Sequence, residues 1–255
     1  MRLSYLCVCA FLAGFIDSVV GGGGLIQFPA LLIFLPKEHA GDIAAVCGTN
    51  KLSSICGTVI AVVQYACRVP INWHSILPAA LTAFGFAYFG SMAVTLINPG
   101  VLKPVILVLL VVVAGYTFLR KDFGDLHAPA FTAHKERTWG ILVGVVLGFY
   151  DGFFGPGMGS FLIFTFIGLF GFDFLSASAS AKVINFTTNL ASVILFASTG
   201  HILYYYALPM AACNVAGSVA GTKVAMLKGN RFVRVLFLVV VSVMILRLGC
   251  QMLFE

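Results

Sequence analysis

The chain has 255 residues, of which 60% are hydrophobic and 9% are charged, and its formal net charge is +6 at pH 7. A mean hydropathy of +1.04 leaves too little polar surface to cover a soluble core, which excludes a soluble globular domain. The composition therefore predicts an integral membrane protein. Basic loops between membrane spans explain the positive charge without nucleic-acid binding.

The first predicted element is an apolar segment, 3–35, that an acid and a run of glycines interrupt. It contains GFIDSVVGGGGLIQFPALL, which begins at Gly14. The start of the chain has the charge and apolar run of a signal peptide, but no small-residue cleavage site follows, so we interpret it as the first membrane segment. Apolar runs predict three helices after it, at about 42–67, 73–97 and 101–119.

A polar stretch from Arg120 to Arg137 follows these helices and is predicted to be a surface loop. Beyond it, a second interrupted segment, 139–170, contains GFYDGFFGPGMGSFLIF, which begins at Gly148. Three more helices are predicted, at about 174–199, 203–227 and 231–253.

The two halves repeat one another. The residues Gly14, Phe15, Asp17, Gly21 and Gly23 recur as Gly148, Phe149, Asp151, Gly155 and Gly157. With a slightly shorter offset, Lys51 pairs with Lys182, Pro78 with Pro209 and Gly90 with Gly221. Duplicated breaks in apolar segments are typical of transporters whose halves meet at a substrate site near the membrane midplane. We divide the chain into an N-terminal repeat, 1–120, a cytoplasmic linker, 121–138, and a C-terminal repeat, 139–255.

The positions of Lys and Arg indicate whether the broken segments cross the membrane. If they cross, the basic loop residues divide about evenly between its two sides. If they turn back as re-entrant hairpins, nine of these residues fall on one side and four, namely Arg2, Lys37, Lys103 and Arg247, on the other. This asymmetry favours the re-entrant arrangement with both termini outside. The predicted fold class is an all-α membrane protein of two inverted repeats, each a glycine-broken re-entrant hairpin plus three transmembrane helices.

Two lysines inside predicted helices are the strongest functional candidates. Lys51 and Lys182 occupy matching repeat positions among Ser, Thr and Asn. A lysine at a helix centre costs about 2.5–3.5 kcal/mol on insertion scales, and a bound anion would compensate this cost. The alternative is that each lysine snorkels to the headgroup region. We expect the neighbouring amides of Asn50 and Asn185 to contact the same anion, and Gln27 is a weaker candidate.

The glycine clusters let the backbone turn inside the membrane and leave N–H groups at the start of a returning half-helix. Helix N-termini bind anions. We therefore expect substrate contacts from both turns, at Gly22, Gly23, Gly24, Gly157, Met158 and Gly159. The alternative role of such glycines is close helix packing, which the spacings Gly144/Gly148/Gly152 and Gly217/Gly221 also serve.

An aspartate, Asp17 or Asp151, lies just before each break. The favoured interpretation is that its carboxylate caps loose N–H groups of the glycine turn. The functional alternative is that it pairs with a lysine in the empty protein, or carries a proton that couples transport to the proton gradient. Two aspartates and two lysines leave the core formally neutral.

No cofactor or metal is expected. The seven cysteines lie scattered through apolar segments without the paired spacing of a metal site or a disulfide framework. No motif of a hydrolase or metalloenzyme is present, so an enzyme is the least favoured class. The expected partners are a small anion, the lipid bilayer and protons.

The twinned GF-x-D glycine-rich segments, the eight hydrophobic segments and the chain length resemble the sulfite exporter (TauE/SafE) family of membrane permeases over essentially the whole chain. The resemblance implies a multi-pass protein of the bacterial inner membrane that moves sulfur-containing anions, usually outward. Pro156 and Met158 stand where the first motif has Gly22 and Gly24, so we expect unequal half-sites.

The sequence thus predicts a secondary transporter that exports sulfite or organosulfonates and holds them at the midplane between the repeats. An anion channel, or a carrier of a different small organic anion, is the alternative. Phe28, Phe161 and Phe186 are expected to line a partly aromatic cavity that accepts an organic tail.

Overall fold

A computed structural model of the chain describes residues 2–94 and 133–254. Within these ranges it is all helical, without strands. The helices in chain order are α1 (Arg2–Val20), α2 (Gly24–Phe34), α3 (Lys37–Ala40), α4 (Ile43–Ala66), α5 (Trp73–Ala93), α6 (Ala133–Phe153), α7 (Met158–Gly168), α8 (Phe174–Ser198) and α9 (Tyr204–Phe254). The predicted helix at 101–119, the end of the N-terminal repeat and most of the predicted linker lie outside the described residues.

Five of the described helices are long and apolar enough to cross a membrane, namely α1, α4, α5, α8 and α9 up to Val240. The chain is therefore a multi-pass membrane protein. Helices α4 and α8 closely match the predicted 42–67 and 174–199. Helix α9 runs through both predicted helices of the last part of the chain, but its backbone breaks between them at Gly229, where φ is 71° and ψ is −169°.

Both predicted interruptions are present, between α1 and α2 and between α6 and α7. Helix α2 folds back along α1, because Tyr5 near the start of α1 stacks on Phe34 at the end of α2 with ring centroids 5.3 Å apart. With 11 residues each, α2 and α7 are only about 16 Å long, too short to cross a membrane alone. Helix α1 has 19 residues, so the two helices of the first hairpin, α1 and α2, differ in length.

The two halves pack together through two helix pairs, each made of one helix from either half. Helix α1 packs along α9, and α5 packs along α6, so each pair takes one helix from either half. Small residues make both contacts: glycines of α6 lie against the α5 backbone, and glycines of α9 against the α1 backbone, at Gly144, Gly148, Gly152, Gly217 and Gly221. Close approach through small residues stabilises helix pairs in lipid. This confirms the packing role of these glycines.

Hydroxyl groups from three other helices satisfy the backbone where α1 ends. The last carbonyls of a helix have no partner within it, and the apolar interior of a membrane offers no water to replace one. The donors are Tyr65 to the carbonyl of Ser18 (3.0 Å), Ser178 to Val19 (3.0 Å) and Ser160 to Val20 (3.1 Å). The break is therefore fixed by the packing of α4, α7 and α8 around it.

The two glycine turns have different backbones. In the first turn Gly21 and Gly22 have φ values of 73° and 85°, and in the second turn Gly155 and Gly157 have values of 86° and 88°. Proline fixes φ near −65°, so Pro156 cannot adopt the left-handed conformation that Gly22 has at the same repeat position. The expected inequality of the two halves therefore extends to the course of the backbone.

We expect Gly21→Ala to destabilise the protein, because a Cβ at this position would strike the backbone of Gly159 at the tip of the other hairpin. The left-handed φ alone adds about 1–3 kcal/mol of strain for alanine. The matched control is Gly85→Ala in α5, where a Cβ meets nothing within 4 Å and alanine favours the helix. Thermal unfolding in detergent should show a lower melting temperature for Gly21→Ala only. Equal melting of Gly21→Ala and wild type would contradict the contact between the tips.

Candidate functional site

The two lysines lie inside the protein at equivalent places. Lys51 is the ninth residue of α4 and Lys182 the ninth residue of α8, so each is about 12 Å from the start of its helix. Their exposed fractions are 4% and 0%. Since both side chains are turned into the interior, the snorkelling alternative is wrong.

Each lysine forms an ion pair with an aspartate of the other half. Lys51 Nζ lies 2.8 Å from Asp151 Oδ1, and Lys182 Nζ lies 2.7 Å from Asp17 Oδ2. A buried charge is tolerated when a close opposite charge compensates its lost hydration. The crossed pairs therefore explain how two lysines fit inside membrane helices, and they correspond to the functional alternative for the aspartates.

Capping of the glycine turn is found for Asp17 as well. Its Oδ1 accepts a hydrogen bond from the N–H of Gly23 at 3.3 Å. Among the described residues, Asp151 has no such contact, and its Oδ2 is buried without a hydrogen-bond partner. The second turn is held differently, because the hydroxyl of Tyr150 donates to the carbonyl of Pro156 at 2.7 Å.

A cavity lies where the tips of the two hairpins, that is, the two glycine turns, meet helices α4 and α8. Its interior is small, about 20 Å³, with room for about one water molecule, and the space including the open mouth is about 330 Å³. Both halves contribute to its polar lining, which consists of Asp17, Gly22, Gly24, Asn50, Lys51, Ser54, Asp151, Gly155, Gly157, Met158, Gly159, Asn185 and Asn189. The structure thus brings together ten of the predicted site residues, so the two interrupted segments and the two lysine helices do meet at one place.

Three predicted site residues, Lys182, Gly23 and Gln27, are not part of this lining. Lys182 is linked to the cavity through its ion pair with Asp17. Gly23 packs against α1 beside Asp17. The side chain of Gln27 accepts a hydrogen bond from Asn214 Nδ2 at 2.9 Å and donates to the carbonyl of Asn50 at 3.4 Å. Gln27 therefore ties α2 to α9 and α4.

Some lining residues were not predicted as site residues. Ser54 is three residues past Lys51, as Asn185 is past Lys182, so the repeat offset is a signal that could have identified Ser54. Asn189 Nδ2 donates to Asn185 Oδ1 at 3.2 Å, which leaves the NH₂ group of Asn185 available as a donor. The expected aromatic lining is wrong for the described part of the chain, since Phe28, Phe161 and Phe186 are not among the residues around the cavity.

Apolar spans, two broken segments and a charged cavity between them are the features of a membrane transporter. Known proteins similar to this chain carry that description. A probable membrane transporter protein, ORF9, from Sinorhizobium sp is 36% identical over 247 residues, which cover 96% of this chain and 92% of the relative. One from Haemophilus influenzae is 35% identical over 237 residues, 91% of this chain and 88% of the relative. The probable membrane transporter protein YfcA from Escherichia coli K12 is 31% identical over 249 residues, which cover 96% of this chain and 88% of the relative.

A family model described as sulfite exporter TauE/SafE matches residues 6–248. The chain belongs to this family of membrane transporters. No solved structure matches it.

The crossed pairing predicts which double substitutions compensate each other. Lys51→Met alone should destabilise the protein by about 3–5 kcal/mol, because it leaves the buried Asp151 without its partner. Adding Asp151→Asn removes both charges and should recover most of this loss. The mismatched control, Lys51→Met with Asp17→Asn, leaves Asp151 and Lys182 both unpaired and should melt lower than either single variant. Equal melting of the matched and mismatched double variants would contradict the pairing.

Proposed function

We propose that this protein is a secondary transporter that exports a sulfur-containing oxyanion, sulfite or an organosulfonate, from a binding site in the cavity between the hairpin tips. The observation that carries the proposal is the ion pair of Lys51 and Asp151, both of which line a cavity shared by the two halves. An anion that enters this cavity competes with Asp151 for the ammonium group of Lys51. The family description points to the same chemical class.

The remaining lining supplies neutral hydrogen-bond donors. Helices α2 and α7 begin at this cavity, and helix N-termini carry partial positive charge. The N–H groups of Leu25 and Met158 already donate to the turn carbonyls of Gly22 and Gly155. The residues proposed to contribute here are Gly22, Gly24, Gly157, Met158 and Gly159, with the side chains of Asn50, Ser54, Asn185 and Asn189 beside them. The three oxygens of a sulfite or sulfonate group can accept from several of these donors at once.

Lys182, Gly23 and Gln27 take part in this site indirectly. Lys182 holds Asp17 at the cavity wall, and Asp17 in turn holds Gly23. Gln27 fixes the position of α2. In the proposed cycle the two repeats are inverted relative to each other, and rocking of one against the other exposes the cavity to either side of the membrane in turn.

Proton coupling is a further part of the proposal. The two lysines and two aspartates of the crossed pairs have a total formal charge of zero. An anion alone would add an uncompensated negative charge to a buried cluster, which is unfavourable. A proton that binds with a monovalent anion, hydrogensulfite or a sulfonate, keeps the cluster neutral.

Ligand-induced stabilisation of the purified protein tests the proposed site. Sulfite and methanesulfonate should raise the melting temperature, by an amount equivalent to about 2.7 kcal/mol at a ligand concentration one hundred times Kd. The matched control is the double variant Lys51→Met with Asp151→Asn, which lacks both charges of the pair and should gain no stability from either anion. The proposal is wrong if neither anion stabilises the wild type, or if both proteins gain equally.

A further inference from the structure

The two crossed ion pairs differ in how their carboxylates are held. Both oxygens of Asp17 have a donor, since Oδ1 accepts from the N–H of Gly23 at 3.3 Å and Oδ2 from Lys182 at 2.7 Å. Asp151 uses only Oδ1, which lies 2.8 Å from Lys51. Its Oδ2 is buried and has no hydrogen-bond donor among the residues that the structure describes.

The pairs also differ in their position relative to the cavity. Lys51 and Asp151 both line it, whereas of the other pair only Asp17 does. Lys182 is fully buried. A ligand in the cavity can therefore take the place of Asp151 on Lys51, while it meets the second pair only from the side of Asp17.

We propose that Asp151 carries the coupling proton and that Asp17 remains an ionised, fixed part of the fold. This inference rests on the proposed anion transport. A proton from the solution binds to a lone pair of Asp151 Oδ2 and converts the carboxylate to a neutral carboxylic acid. The ammonium group of Lys51 keeps its protons and pairs with the anion instead. On release of the anion, the proton leaves Oδ2 and the ion pair re-forms, so no charge accumulates at either step when the anion is monovalent, as hydrogensulfite and sulfonates are.

Protonation of Asp17 would have a different consequence. It would weaken the ion pair with Lys182 and the hydrogen bond that holds Gly23 in the first glycine turn. Among the described residues, Asp151 Oδ2 has no hydrogen-bond donor to lose. The proton therefore binds to Asp151 with less disturbance of the fold.

The groups around Asp151 leave Lys51 as its main charged neighbour. Asp17 on α1 lies across the same cavity and is neutralised by Lys182 on α8. The adjacent Tyr150 donates its hydroxyl hydrogen to the carbonyl of Pro156. Toward α5, Gly148 and Gly152 lie against Ala83 and Ala87, and the hydroxyl of Ser91 donates to the carbonyl of Gly152 at 3.1 Å. Lys51 is therefore the charged group in direct contact with Asp151 among the described residues.

Sulfite binding measured across a range of pH tests this assignment, with Asp151→Asn as the diagnostic variant. Asparagine resembles the neutral carboxylic acid but cannot take up a proton. The affinity of the wild type should rise as pH falls, by up to about tenfold per pH unit more than that of Asp151→Asn, whose curve contains only the titration of sulfite itself. At alkaline pH the variant should bind sulfite more tightly than the wild type. Identical pH dependence in the two proteins would overturn the assignment.

The conservative variants decide the question if Asp151→Asn does not fold. Asp151→Glu should move the midpoint of the pH dependence of sulfite binding, because the titrating carboxyl group itself has changed, whereas Asp17→Glu should leave it in place. The opposite result would assign the proton to Asp17. Absence of sulfite binding to the wild type at every pH would instead overturn the proposed function, and the inference with it. Binding of sulfite without any excess pH dependence would overturn the inference alone.

Discussion

The compensation of two lysines buried inside membrane helices is the constraint on which this structure depends. A single buried cation would be strongly destabilising in a medium of low dielectric constant. The chain resolves this with an aspartate supplied by the opposite half for each lysine. Each aspartate lies just before a glycine turn. The ion pair that compensates the charge of a lysine therefore also fixes the position of that turn. The hairpin tips are thereby held against the helices that carry the lysines, and the cavity forms where they meet.

Much of this arrangement follows from the sequence. The repeat of Gly14 to Gly23 at Gly148 to Gly157 and the match of Lys51 with Lys182 led to a set of predicted site residues, of which ten line one cavity. The periodic glycines of α6 and α9 correctly indicated close helix packing. The breaks at the two turns and at Gly229 are also marked by glycines. These features are predictable because each depends on local chemistry, such as a charge in an apolar run or a residue without a side chain.

The remaining features depend on contacts between distant segments. Sequence alone leaves open whether Lys51 pairs with Asp17 of its own half or with Asp151, since both acids occupy the same repeat position. The bridge from Asn214 to Gln27 has no counterpart in the second half, where Ala83 and Phe161 occupy the matching positions, so the repeat gives no signal for it. The two ion pairs differ in structure as well. In one pair the aspartate also caps its glycine turn, and in the other the aspartate has a buried oxygen, Oδ2, without a hydrogen-bond donor among the described residues.

The central claim is that an anion replaces Asp151 as the partner of Lys51 while Asp151 takes up a proton. Infrared difference spectroscopy of the purified protein on addition of sulfite measures this directly. The account predicts loss of carboxylate absorption and gain of a protonated carboxyl band, both of which disappear in Asp151→Asn. Sulfite binding without any change in the carboxyl bands would contradict it.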